Sequence, residues 1–274
     1  MKKLVTRTIT GIVFVLVMLT SIMVSQYSYA LLFLLILIGS IKEYLSLFRQ
    51  SEVNPNRFLS YSISILFFLT TFLIAGGTIG IKYFLALLPL FLVIMAAELY
   101  RKQEKPAGNI AVTIFSIIYL AIPLSLVNFL VFPEFLNINS YTPRLLIALF
   151  SLIWTYDSGA YLVGVSIGKH RLFERISPKK SWEGAIGGTI IAIGVSFFIS
   201  TLIPEIRLIH WIAISILTVI SSTFGDLTES MFKRYFEIKD SGNILPGHGG
   251  VLDRFDSLFF AAPVIVIYLK LFIE

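Results

Sequence analysis

The chain has 274 residues, of which 57% are hydrophobic and only 14% charged, with a mean hydropathy of +0.87 and a net charge of +6. A soluble domain is about a quarter charged, so this balance excludes a soluble enzyme carrying one membrane anchor and points to a polytopic, all-α membrane protein. With no cysteine, disulfides, thiolate nucleophiles and Cys-based zinc sites are excluded, and His170, His210 and His248 are too scattered to form a zinc site.

Nine apolar runs follow one another, near 8–25, 30–47, 58–76, 81–99, 108–131, 145–166, 185–203, 208–225 and 252–272. Each has roughly the 17–25 residues needed to cross a hydrocarbon core about 30 Å thick, and helices satisfy their own backbone groups there. The first run follows Lys2-Lys3 and ends before Ser28-Tyr29-Ala30, which also fits a cleavable signal peptide. Its apolar stretch exceeds the usual length of about 7–15 residues, which favours a retained helix. The third and fourth runs are divided only by the Gly76-Gly77 break.

Charge orients these spans. With the amino terminus in the cytoplasm, the inner segments carry 18 of the Lys and Arg residues and the outer segments 4. That asymmetry is the positive-inside pattern. The net charge of +6 therefore reads as topology and attraction to anionic lipid headgroups. No soluble basic domain is present to bind nucleic acid. The two longest inner loops, about 168–184 and 226–252, are where chemistry is expected.

Within the sixth run, Asp157 lies eight residues before Val165, about 12 Å from the inner end at 1.5 Å per residue. A charged carboxylate at that depth costs roughly several kcal/mol unless it meets water or a partner. A cytoplasm-facing polar cavity is therefore expected, with a lysine of the next loop, a cation or a substrate group as the partner. Gly164 and Gly168, and Gly184 and Gly188, have the spacing of close helix packing.

The loop Ser177-Pro178-Lys179-Lys180-Ser181-Trp182-Glu183-Gly184 offers hydroxyls, two lysines and a carboxylate. These suit phosphate or nucleotide binding; the plainer reading is a basic inner loop with an interfacial Trp. Asp226 closes the eighth run, and Asp253 and Asp256 open the ninth on one helical face. Carboxylates from two helix ends can supply a hard cation that leaves its other positions to water and phosphates. Alternatively they complement a positive helix end. Between them, Pro246-Gly247-His248-Gly249-Gly250 lets backbone N–H groups approach an anion. Lys233, Arg234, Lys239 and Arg254 add positive charge, or anchor helices at the interface.

Residues 230–256 resemble the signature of phosphatidate cytidylyltransferases (CDP-diacylglycerol synthases). It runs Ser-x-apolar-Lys-Arg, four residues, Lys-Asp, then Pro-x-His-Gly-Gly and Asp-Arg-apolar-Asp, here Ser230 to Asp256. The 177–184 stretch is similar to that family's Ser-Pro-x-Lys-Ser/Thr-x-Glu-Gly segment. The resemblance covers roughly the last 130 residues. On that basis residues 141–274 form a catalytic region and 1–140 a scaffold of apolar helices.

The resemblance implies transfer of a cytidylyl group from CTP to phosphatidate in the membrane, with Mg²⁺ (or Mn²⁺, or a second cation) on Asp226 and Asp253. It implies a catalytic set of Asp226, Asp253, Asp256 and Lys239. Asp256 would be a ligand or would orient Arg254. Substrate would be held by Asp157, Ser177, Lys179, Lys180, Ser181, Glu183, Lys233, Arg234, His248, Gly249, Gly250 and Arg254. A CTP-dependent kinase of a polyprenol or other lipid alcohol is the rival enzyme, and a transporter the rival class. The transporter is disfavoured because no internal repeat is evident and the polar residues gather at one face. Small-residue helix faces leave a homodimer open.

Overall fold

Apolar runs set the helices of this chain, and polar or conformationally special residues set their ends. The computed structural model describes residues 2–49, 51–138, 140–242 and 249–273, with side chains from residue 9 onward. Helices α1 (Lys2–Val24) and α2 (Gln26–Ser46) are separated by Ser25. The Ser25 hydroxyl accepts the Ser28 N–H and the Ser28 hydroxyl accepts the Ser25 N–H, both at 3.1 Å, a reciprocal capping box. Helix α3 (Arg57–Ala75) starts behind Asn56, whose side chain accepts the Leu59 N–H at 3.2 Å. It stops at Gly76, and Gly77 follows at φ +71°, a left-handed turn that glycine adopts without strain.

The expected fourth span opens as a 3₁₀ segment, Ile81–Leu87, before α4 (Pro89–Arg101). The fifth is α5 (Pro106–Ser116), a π turn (Ile117–Ala121), and the short helices α6 (Ile122–Leu126) and α7 (Asn128–Val131). Two residues beyond the π turn stands Pro123, which has no N–H to give to the ladder. Beyond it come α8 (Arg144–Ile167), strands β1 (Arg171–Phe173) and β2 (Ser177–Ser181), α9 (Trp182–Leu202), α10 (Leu208–Tyr235) and α11 (Leu252–Phe272). Among the described residues, eight segments are long and apolar enough to cross a membrane. Helix α1 adds a shorter apolar stretch, Ile9–Val24. The nine expected runs are thus all helical.

Two boundaries differ from expectation. Helix α10 does not end at residue 225 but continues to Tyr235, so Asp226, Ser230, Lys233 and Arg234 lie on a helix rather than in a loop. Its extra turns are sustained by pairs four residues apart: Ser230 Oγ donates to Asp226 Oδ1 at 3.2 Å, and Lys233 meets Glu229. The expected loop 168–184 holds an antiparallel hairpin of β1 and β2, in which Arg171 pairs with Ser181 and Phe173 with Ser177.

The chain divides into two compact units. The first comprises Met1–Glu134, Asn139–Tyr141 and Lys239–Phe255. Its apolar interior contains closed polar knots. The Tyr29 hydroxyl donates to Asn128 Oδ1 at 2.9 Å, and Asn128 Nδ2 donates to Thr71 Oγ1 at 2.9 Å. Glu98 accepts from Arg101 at 2.7 Å and from Asn109 Nδ2 at 2.6 Å, while Asn109 Oδ1 accepts the Asn54 N–H at 2.6 Å. Such pairing removes the cost of placing polar groups where water is absent.

The second unit comprises Phe135–Ile138, Thr142–Ile238 and Asp256–Glu274. Here α8 and α9 pack glycine against glycine. A Cβ on Gly159 would lie 3.2 Å from Gly188 Cα, and one on Gly184 3.2 Å from Gly164 Cα. The glycines expected for close packing are thus used within the chain, with Gly159 in place of Gly168. Gly168 instead caps α8, its N–H bonded to the Gly164 carbonyl at 3.0 Å. Helices α10 and α11 also meet closely, because a Cβ on Gly225 would collide with the Asp256 carbonyl and lie 3.1 Å from Ser257 Cα.

Candidate active site

In the second unit, the approach of Gly225 to Asp256 brings the charged groups together. Asp226 follows that glycine, and its Oδ2 receives Lys180 Nζ at 2.8 Å. Lys180 reaches it because successive β2 side chains alternate: Lys179 is exposed, while Lys180 is half-buried. Asp226 and Asp157 act on Asp256 as like charges and Lys180 as the opposite one, so all four groups share one electrostatic environment. Asp256 Oδ1 accepts the Ser257 N–H at 2.6 Å. Asp157 is exposed on α8, inside a segment apolar enough to cross the membrane. Its neighbour Tyr156 is buried, with its hydroxyl 2.5 Å from Thr223 Oγ1. Lys180, Asp157 and Asp226 also act electrostatically on Tyr156, which ties α8 and α10 to the same cluster.

The remaining expected residues of this unit hold the scaffold of the cluster. Ser181 caps α9 by accepting the Gly184 N–H at 3.1 Å. Glu183 accepts the Lys169 N–H at 3.1 Å and meets His170 Nδ1 at 2.6 Å, closing the base of the hairpin. Arg234 Nε donates to the Ile176 carbonyl at 3.3 Å, fastening the hairpin tip to α10. Lys233 pairs with the buried Glu229. Ser177 begins β2 opposite Phe173. A cavity of about 710 Å³ opens beside the hairpin, lined by Lys169, His170, Arg171, Glu174, Trp182, Glu183 and Ile186. It is lined by these residues rather than by Asp157.

The first unit carries the other part of the signature. Asp253 Oδ2 accepts three donors: the Gly250 N–H at 2.7 Å, the Ser241 N–H at 3.0 Å and the Ser241 hydroxyl at 3.0 Å. Gly249 stands at φ +83°, where a side chain would be strained, and a Cβ there would approach Asp253 Oδ2 to 2.6 Å. The glycine pair therefore lets the chain fold over the Asp253 carboxylate. Lys239 and Arg254 are exposed. His248, with Pro246 and Gly247, lies outside the described residues. Ser241 and Glu43 of α2 belong to this part of the molecule and were not expected there. A single carboxylate near the end of an otherwise apolar span was the available signal for Glu43.

Among the described residues no three His, Asp or Glu side chains are gathered tightly enough to enclose a metal ion by themselves. Magnesium does not require such a cage; it takes one or two carboxylates and leaves its other positions to water and phosphates. The donor chemistry of the second unit fits that demand. Asp226 pairs with Lys180, and Asp256 and Asp157 share its electrostatic environment, so carboxyl oxygens for a cation stand near a positive charge suited to a phosphate.

The architecture defines an all-α, polytopic membrane protein in which acidic and basic side chains of α8, β2, α10 and α11 share one environment. The family model described as the Cytidylyltransferase family matches residues 5–272, and the chain belongs to that family. It is similar to the phosphatidate cytidylyltransferase of Staphylococcus epidermidis, 32% identical over 96% of this chain and 98% of that one. It is also similar to the proteins of that name from Bacillus subtilis (45% identical, 52% of this chain, 53% of that one) and Haemophilus influenzae (49% identical, 43% of each). In these two alignments the chain spans about half of each relative.

Proposed function

We propose that the chain transfers the cytidylyl group of CTP to phosphatidate, giving CDP-diacylglycerol and pyrophosphate. The observation that carries this reading is the end-to-end similarity to a phosphatidate cytidylyltransferase over 96% of the chain. The site geometry is consistent with it. A phosphomonoester has a second pKa of about 6, so phosphatidate is largely a dianion at neutral pH and needs no general base. One of its oxygens attacks the α-phosphorus of CTP, and the bond from that phosphorus to the bridging oxygen breaks to release pyrophosphate. The obstacle is repulsion between two anions, so catalysis is by positioning and electrostatics.

Lys180, held half-buried against Asp226, would meet a phosphate oxygen when the carboxylate turns to another partner. Lys239 and Arg254 are exposed and supply further positive charge for the leaving pyrophosphate. Mg²⁺ is the cofactor we propose, with Asp226 and Asp253 as the carboxylates that would hold it and Asp256 three residues beyond Asp253; when bound it would screen the phosphates and polarise the α-phosphorus. Exposed Asp157 supports a polar cavity entered from the cytoplasm, reached by phosphatidate from the inner leaflet. The charge asymmetry supports a cytoplasmic amino terminus and cytoplasmic site loops.

The test is purified protein in mixed micelles with CTP and phosphatidate. Pyrophosphate release together with CDP-diacylglycerol is expected. Release of CDP with a lipid alcohol as acceptor would favour the kinase, and turnover of neither kind would remove the enzymatic reading.

A further inference from the structure

We propose that Glu43, on the second helix, is a positioning residue that sets the Asp253 end of the signature. The proposal deepens the cytidylyltransferase reading and rests on it for the catalytic consequence. Glu43 is 4% exposed and sits in the last turn of α2. Its Oε1 accepts the Val251 N–H at 3.0 Å and its Oε2 the Leu252 N–H at 2.8 Å. These N–H groups open α11, where the first turn has no intrahelical acceptors. Glu43 thus caps α11 from another helix, and its charge complements the positive end of that helix.

The same carboxylate reaches the other side of the loop. The Ser241 hydroxyl lies 3.2 Å from Glu43 Oε2 and 3.0 Å from Asp253 Oδ2. One hydroxyl hydrogen therefore stands between two carboxylates, linking Glu43 to Asp253 through a single side chain. The surroundings leave Glu43 little freedom. A Cβ on either Gly242 or Gly250 would collide with its carboxylate. One turn earlier on α2, Gly39 admits Val251, whose Cγ2 would lie 3.1 Å from a Cβ there. Gly39 and Glu43 together make α2 the seat on which Ser241, Gly242 and residues 250–252 rest. Nothing in this arrangement requires Glu43 to touch substrate; it acts through Ser241 and the first turn of α11.

Glu43→Gln is the discriminating variant. An amide keeps one accepting oxygen but turns an N–H donor toward Val251, or toward Leu252 and Ser241. Hydrogen exchange of peptides covering 249–258 is expected to accelerate at least about tenfold, while those of α3 keep their wild-type rates. Turnover is expected to fall about 10- to 100-fold, the usual consequence of moving a reacting group by about 1 Å. KM for phosphatidate should stay near the wild-type value. The control is Glu98→Gln, which disturbs another buried carboxylate of the same unit, paired with Arg101 and Asn109. A purely structural role would give both variants the same loss.

Unchanged exchange at 249–258, or equal effects of Glu43→Gln and Glu98→Gln, overturns the proposal. Ser241→Ala removes one hydroxyl only and serves if Glu43→Gln does not fold. It should slow turnover, and its effect should shrink in the Glu43→Gln background because the two act in series. Full turnover in Ser241→Ala equally counts against the link. If the wild-type protein makes no CDP-diacylglycerol, the functional reading falls, and the exchange comparison still decides whether Glu43 holds this segment.

Discussion

Replacing Gly188 by alanine should separate α8 from α9 and slow the enzyme, whereas the same change at Gly194 should do neither. A Cβ on Gly188 would lie 2.8 Å from the Tyr156 carbonyl oxygen, 2.9 Å from the Ala160 nitrogen and 2.9 Å from Tyr156 Cδ2. Two of these atoms are backbone and cannot rotate away. Ordinary carbon contacts begin at about 3.5 Å, so the helices must part by roughly 0.6–0.7 Å. Overpacking of this kind costs about 1–3 kcal/mol. At about 2–4 °C per kcal/mol for a chain of this size, Tm should drop by about 2–12 °C. The shift falls on the backbone next to Asp157 and on the helix whose first turn follows Lys180, so turnover should fall by about tenfold or more. At Gly194 nothing lies within 4 Å of the added methyl. There alanine should leave activity unchanged and raise helix stability by about 0.5–1 kcal/mol. The assay is thermal unfolding in detergent, followed by pyrophosphate release at a temperature where both variants are folded. Wild-type stability and rate for Gly188→Ala, or equal losses for the two variants, would refute the packing argument.

Lys180→Met should reduce turnover about 10²- to 10³-fold, the scale of losing one preorganised charge at a developing anion. Its stability should change by no more than about 1 kcal/mol because the Lys180–Asp226 pair is only partly buried; rates within twofold of wild type would count against Lys180. Asp253→Asn retains an oxygen to accept from Gly250 and Ser241, so the protein should stay folded while activity is lost; a near-normal rate would reduce Asp253 to a turn-holding residue. Chelation should abolish pyrophosphate release and added Mg²⁺ restore it, with Asp226→Asn raising the Mg²⁺ needed for half-maximal rate. Activity that survives exhaustive chelation would remove the cation from the mechanism. Cysteines introduced at 177–184 into this cysteine-free chain should react only with reagent on the cytoplasmic side. Labelling from outside would invert the topology.

The helices were legible in the sequence because in lipid the backbone has no other way to pair its polar groups. Every long apolar run is a helix, and Leu252–Phe272 begins and ends where hydropathy places it. The site was legible in part. Asp157 was singled out for its depth in an apolar run, Asp226 and Asp256 as carboxylates at helix ends and Lys180 as a lysine of a polar loop, and the four share one electrostatic environment. Hydropathy misjudged the end of α10, since it registers where lipid ends and not where a helix ends. The polar turns carrying Asp226 and Lys233 are held by pairs spaced four residues apart.

Residue types and their order along the chain were enough to establish a membrane-embedded helical protein with charged segments between its apolar runs. Those properties depend on transfer free energies that each segment carries by itself. Which lysine meets Asp226, and that the Asp253 turn is seated on Glu43 some two hundred residues away, came only from the folded chain. A hydrogen bond depends on distances of a few tenths of an ångström, set by how glycine-lined helices close on one another. Glycine spacing announces that helices can close, but not which ones meet or how near they come.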